Sequence, residues 1–149
     1  MEHGASPSTV LFACTMNAVR SPMAAALMRH LTGRRIYVES AGVRAGRLDP
    51  MAVAAMEEIG LEIGEHRPRC FEDLEDGSFD LVITLSPEAH HKAMELTRTA
   101  DTRVEYWPTM DPTVADGSRE QRLSAYRAVR DQLLERLKTR FAAPAAADT

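Results

Sequence analysis

The chemistry-bearing residues of this chain crowd into one segment, Val10-Leu11-Phe12-Ala13-Cys14-Thr15-Met16-Asn17-Ala18-Val19-Arg20-Ser21-Pro22. An apolar run ends at a cysteine, and an arginine, a serine and a proline follow where a helix would begin. A helix N-terminus leaves backbone amides unpaired and carries about half a positive charge, so it draws in oxyanions and favours a thiolate. Cysteines so placed titrate between about 3.5 and 7.5 instead of near 8.5, which supplies a nucleophile at neutral pH. Arg20 offers a planar fork to two oxygens of a bound oxyanion. Asn17 suits a left-handed turn in the middle of the loop, and Ser21 stands where its hydroxyl can donate to the sulfur. Residues Thr15 to Ser21 are therefore predicted to cradle phosphate or another tetrahedral oxyanion above Cys14. Farther on, Asp111 lies in the proline-punctuated loop Trp107-Pro108-Thr109-Met110-Asp111-Pro112-Thr113. A carboxyl positioned there is a candidate general acid for the leaving group, a role worth roughly 10²–10⁴-fold in rate.

These residues need elements to position them. Thr9 to Ala13 reads as a short buried strand. Ser21-Pro22 reads as a cap and first-turn proline of a helix in which Met23, Leu27 and Leu31 recur every four residues, and Gly33 ends it. Ile36 to Ser40 is a second strand. Asp49-Pro50 opens a helix that Gly60 ends. Phe79 to Leu85 is a third, buried strand after Asp76-Gly77, and Ser86-Pro87 starts a helix running to about Leu96. Arg103 to Trp107 is a fourth strand. Ser118-Arg119-Glu120-Gln121 is a capping box for the last helix, whose apolar face is Leu123, Tyr126, Val129, Leu133 and Leu137. Alternating strands and helices predict an α/β fold: a four-stranded parallel sheet flanked by helices on both faces, with ligands at the carboxyl ends of the strands. Cys14 falls at such an end.

Composition bounds the rest. The 149 residues suit a single domain over 9–141, with residues 1–8 and 142–149 as flexible tails. A net charge of −4 with scattered arginines gives no basic face for nucleic acid. No apolar run is long enough to span a membrane, and the N-terminus lacks a signal-peptide pattern. Two cysteines, one of them reactive, fit a reducing cytoplasm better than a disulfide scaffold. His66, His90 and His91 lack the spaced cysteine, histidine or carboxylate companions of a metal site, so neither metal nor other cofactor is expected.

The segment Cys14 to Pro22 resembles the phosphate-binding loop of the low-molecular-weight protein tyrosine phosphatases. The resemblance continues through Glu39-Ser40-Ala41-Gly42, the Asp49-Pro50 helix, Gly64-Glu65-His66-Arg67, Asp80 to Thr84 and Asp111-Pro112. It implies the fold of that family, with Cys14 as nucleophile, Arg20 binding phosphate and Asp111 as the acid that later activates water. Asn17, Ser21 and Ser40 would hold the loop in shape, and His66 would support it from behind. The implied activity is hydrolysis of a phosphoprotein, phosphotyrosine above all, or a small phosphomonoester, through a cysteinyl-phosphate intermediate.

Departures from the pattern matter. The family often carries a second cysteine before the loop arginine, where this chain has Val19, and a larger residue at Ala18. Aromatic residues commonly follow the Asp-Pro pair, where Thr113-Val114 stand. Fewer aromatic walls weaken the case for a phenyl ring, unless Trp107 or Tyr106 compensates. Arsenate reductases that share this fold pass a disulfide to further cysteines. Ser86 occupies the place of the first, and a serine forms no disulfide. Cys70, in Arg67-Pro68-Arg69-Cys70, is the remaining candidate, and its neighbouring arginines would favour a thiolate. Two alternatives follow: arsenate reduction with an external small thiol, which needs Cys14 alone, and a non-catalytic regulator that binds phosphate or a phosphopeptide.

Overall fold

The computed structural model describes residues 7–33, 35–74, 78–98 and 100–142. Four strands, β1 (Thr9–Cys14), β2 (Tyr37–Gly42), β3 (Leu81–Thr84) and β4 (Arg103–Tyr106), alternate with four helices. These are α1 (Arg20–Thr32), α2 (Pro50–Glu57), α3 (Pro87–Leu96) and α4 (Arg119–Leu137). The strands form one parallel sheet in the order β2-β1-β3-β4. The chain leaves β1 toward one edge and later returns to its other side, so the winding reverses at β1. The crevice beyond the carboxyl end of that strand is where such sheets bind ligands, and Cys14 closes β1 there.

Helices cover both faces, as the alternation predicts. On one face α1, α2 and α4 pack against Val10 and Phe12 of β1, and Met23, Leu27, Met28 and Met56 are fully buried. The α4 stripe of Leu123, Tyr126, Val129, Leu133 and Leu137 is buried in full. On the other face α3 and a short turn at Phe71–Asp73 cover Leu11, Ala13 and Val82 through Phe71, Ala89 and Ala93. Capping follows the expected chemistry at three helices. Asp49, Ser86 and Ser118 accept from the amides of Met51, Ala89 and Gln121, and the Gln121 side chain in turn accepts from the Ser118 amide. Gly33 and Gly60 take the positive φ that ends α1 and the α2 turn.

Three expectations shift. Helix α1 begins at Arg20 behind Val19, with no side-chain cap, because the Ser21 hydroxyl is engaged elsewhere. Strand β2 runs on to Gly42 instead of stopping at Ser40. Ser8, assigned to a tail, is already tied in: its amide donates to the Asp80 carboxylate at 2.7 Å, and its carbonyl accepts from Tyr37. The Asp76-Gly77 turn and the remainder of both tails, residues 1–6 and 143–149, lie outside the described residues. No described helix is long and apolar enough to cross a membrane.

Candidate active site

The loop after β1 owes its shape to a second segment laid along it. Beyond β2, residues 43–49 donate their amides to loop carbonyls: Val43 to Cys14 at 3.1 Å, Arg44 to Thr15 at 2.9 Å, Gly46 to Met16 at 2.9 Å and Asp49 to Ala18 at 3.2 Å. With its carbonyls turned outward to this strap, the loop keeps its N–H groups for the inside. No acceptor among the described residues meets the amides of Thr15, Met16, Asn17, Ala18 and Val19. The close approach requires Gly42. A Cβ there would lie 2.7 Å from the Arg44 oxygen, 2.8 Å from the Asn17 nitrogen and 2.9 Å from the Thr15 oxygen.

Asn17 is the post around which the loop turns. It has φ of 54°, is fully buried, and uses its whole amide group. Its Nδ2 donates to Ser21 Oγ at 2.9 Å and to Ser40 Oγ at 3.0 Å. Its Oδ1 accepts from the Arg69 amide at 2.9 Å and from His66 Nε2 at 3.0 Å. His66 Nε2 also lies 3.2 Å from the Asn17 carbonyl. Both neighbours are acceptors, so Nε2 carries the ring proton. Burial lowers the pKa of His66, with a smaller contribution from the charge of Arg29, and its bond to Asn17 opposes them.

Cys14 is 2% exposed, and its sulfur sits 2.9 Å from Ser21 Oγ and 3.4 Å from the Ser21 amide. Because Ser21 Oγ already accepts from Asn17, its own proton is free to point at the sulfur. The first turn of α1 adds the positive end of its dipole. Arg20, 8% exposed, donates through one nitrogen to the Thr109 carbonyl at 2.9 Å, which leaves the rest of its fork for an oxyanion. That bond also ties the loop to the segment carrying Asp111. Asp111 Oδ1 accepts from the Thr113 amide and hydroxyl, at 3.0 and 2.7 Å, while Oδ2 has no protein partner among the described residues.

Cys14, Thr15, Met16, Ala18, Val19, Arg20 and Asp111 line one cavity of about 340 Å³. Gly46, Arg47, Asp49, Glu88 and Thr113 complete its wall, and no aromatic side chain takes part. Trp107 is instead buried beneath Arg136, and Tyr106 stacks on His90, so neither supplies the aromatic wall. Asp49, Arg47 and Glu88 were not singled out from the sequence. Only the Asp49 cap was legible, and nothing marked its bond from the Tyr126 hydroxyl at 2.6 Å.

Two sulfur expectations are decided by geometry. The Cys70 thiol donates to Asp73 at 3.3 Å, and burial together with Asp73 and Glu72 raises its pKa, so its setting opposes the thiolate that the neighbouring arginines suggested. Gly42 lies in register with Cys14 on one side and bridges Cys70 on the other. Two strand spacings put the cysteines about 9–10 Å apart, beyond disulfide reach. Ser86 accepts from Thr15 Oγ1 at 3.0 Å, so the position of the expected resolving cysteine does adjoin the loop. His90 bonds to Thr84, His91 pairs with Glu95, and no group of three metal-ligating side chains occurs among the described residues.

This geometry agrees with the comparisons to known proteins. An arsenate reductase of Bacillus licheniformis is 36% identical over 137 residues, covering 92% of this chain and 96% of the relative. A glutaredoxin arsenate reductase of Synechocystis is 32% identical, covering 89% and 95%. A solved arsenate reductase in its phosphate-binding state superposes with a TM-score of 0.75 at 30% identity, over 91% of this chain and 97% of that one. The sequence pattern of the low molecular weight phosphotyrosine protein phosphatases matches residues 9–147, and the chain belongs to that family.

Proposed function

We propose that this protein reduces arsenate to arsenite with electrons from an external small thiol. The observation that carries the reading is the cavity itself: one thiol, a ring of inward amides and a guanidinium, with no aromatic wall for a phenyl leaving group. The names of the relatives favour the same reading over hydrolysis of phosphotyrosine, the sequence's leading expectation. In the first step the Cys14 thiolate attacks arsenic, and Arg20 and the loop amides hold the remaining oxygens. Asp111 gives its proton through Oδ2 to the departing oxygen, which leaves as water. A small thiolate then attacks the Cys14 sulfur. The sulfur–arsenic bond breaks with its electron pair going to arsenic, releasing arsenite and leaving Cys14 in a mixed disulfide. A second thiol exchanges with that disulfide, restoring the Cys14 thiolate and releasing the oxidised dimer. Two thiols are oxidised for each arsenate reduced. With Ser86 beside the loop and Cys70 out of reach, the chain offers no internal route for this disulfide.

The serine at position 86 also favours a second reading, phosphomonoester hydrolysis, in which water attacks the phosphorus of a cysteinyl-phosphate, expels the Cys14 thiolate and releases inorganic phosphate. Purified protein assayed in parallel with arsenate plus small thiols, an aryl phosphate and a phosphoarginine peptide separates the two. Thiol-dependent arsenite production that vanishes in Cys14→Ser is the expected result. Hydrolysis of either phosphate without thiol consumption, and no arsenite, would select the hydrolase instead.

A further inference from the structure

We infer that Arg47 is a specificity residue that receives the carboxylate of the incoming thiol, so that the preferred reductant is an acidic low-molecular-weight thiol. The inference rests on the reductase reading and deepens it. Three arginines bear on the opening of the Cys14 cavity. Arg20 is buried and bonded to Thr109, and Arg44 is drawn across the rim to Glu88 of α3 at 3.3 Å. Arg47 lines the same cavity, is exposed, and has no hydrogen-bond or ion-pair partner among the described residues. The strap fixes the backbone that carries this charge, because Gly46 and Asp49 on either side of it are bonded to Met16 and Ala18 of the loop.

The second displacement brings in a molecule larger than the oxyanion it follows. The sulfur of that molecule must reach Cys14 through the opening, so its body stays at the rim, next to Arg47. Gly46 lies flat against Met16 of the loop, where a Cβ would come within 3.1 Å of the Met16 side chain, so the strap hugs the loop and Arg47 stands at its outer side. A guanidinium with no protein partner takes a carboxylate in its fork without first breaking another pair. A neutral thiol gains nothing from it.

The test needs a readout that does not depend on arsenate. In a Cys70→Ser background, the rate of Cys14 alkylation by iodoacetate divided by that by iodoacetamide measures how the rim treats a carboxylate. The corresponding disulfide pair is glutathione disulfide against hydroxyethyl disulfide. Arg47→Ala is expected to lower both ratios about two- to fivefold at low ionic strength, Arg47→Glu to lower them further, and Arg47→Lys to retain most of the preference. Added salt should shrink the differences. In turnover, kcat/KM for glutathione relative to 2-mercaptoethanol should fall in the same order. Ratios that are equal in all four proteins would overturn the inference, as would a wild-type enzyme that uses neutral thiols as well as acidic ones. If wild type makes no arsenite with any thiol, the reductase reading fails, while the alkylation ratios still decide whether Arg47 steers carboxylates.

Discussion

Replacing Asn17 by alanine tests whether the loop is held by one side chain. The substitution deletes four side-chain hydrogen bonds, to Ser21, Ser40, His66 and the Arg69 amide, all within 2.9–3.0 Å. At about 1 kcal/mol net for each bond, the loss is about 4 kcal/mol, more where a buried partner is left unsatisfied. Alanine at a φ of 54° adds about 1 kcal/mol of backbone strain. The expected total is about 5 kcal/mol, a large share of the roughly 5–15 kcal/mol that holds a domain together. For a domain of this size it corresponds to a drop in Tm of roughly 10–20 °C. Urea unfolding followed by fluorescence of the single tryptophan, Trp107, measures it directly, since that ring is buried at the end of β4. Added phosphate should raise the Tm of wild type and fail to raise that of the variant. A loss under about 1 kcal/mol with phosphate stabilisation intact would refute the assignment of loop shape to Asn17.

Other perturbations have equally definite outcomes. Asp111→Asn should slow thiol-dependent arsenite production by roughly 10²–10⁴-fold while leaving phosphate binding intact; an unchanged kcat would remove Asp111 from proton transfer. His66 has a folded pKa below its unfolded value, so the unfolded chain binds more protons as acid is added. Its contribution is complete above about pH 6.5 and is lost as pH falls through the lower folded value. Thermal melts of wild type should therefore weaken below that pH more than those of His66→Gln. Gly42→Ala forces a methyl against three backbone atoms at under 3 Å, and should abolish oxyanion binding while circular dichroism still reports a folded sheet.

The sequence revealed elements wherever periodicity or capping chemistry was strong. All four strands, the α4 face and the Asp49, Ser86 and Ser118 caps were readable for that reason. Ser21 misled because a serine before proline signals a cap, whereas here its hydroxyl is already committed to Asn17 and the sulfur. The strap over 43–49 is irregular backbone whose bonds go to a segment far away in the chain, and no local pattern encodes them. Cys70 misled because charges adjacent in sequence need not be adjacent in space: burial, together with Asp73 and Glu72, raises its pKa. The tether from Arg20 to Thr109 spans 89 positions and left no trace in spacing.

The dependence of the loop on residues 43–49 bears on synthesis of the chain. While only the first forty residues have emerged from the ribosome, the carbonyls of Cys14 to Ala18 have no donors to turn them outward, and no anion nest exists. The loop takes its shape only when Gly42 and its successors dock, so a chain truncated before them carries Cys14 without the cradle around it.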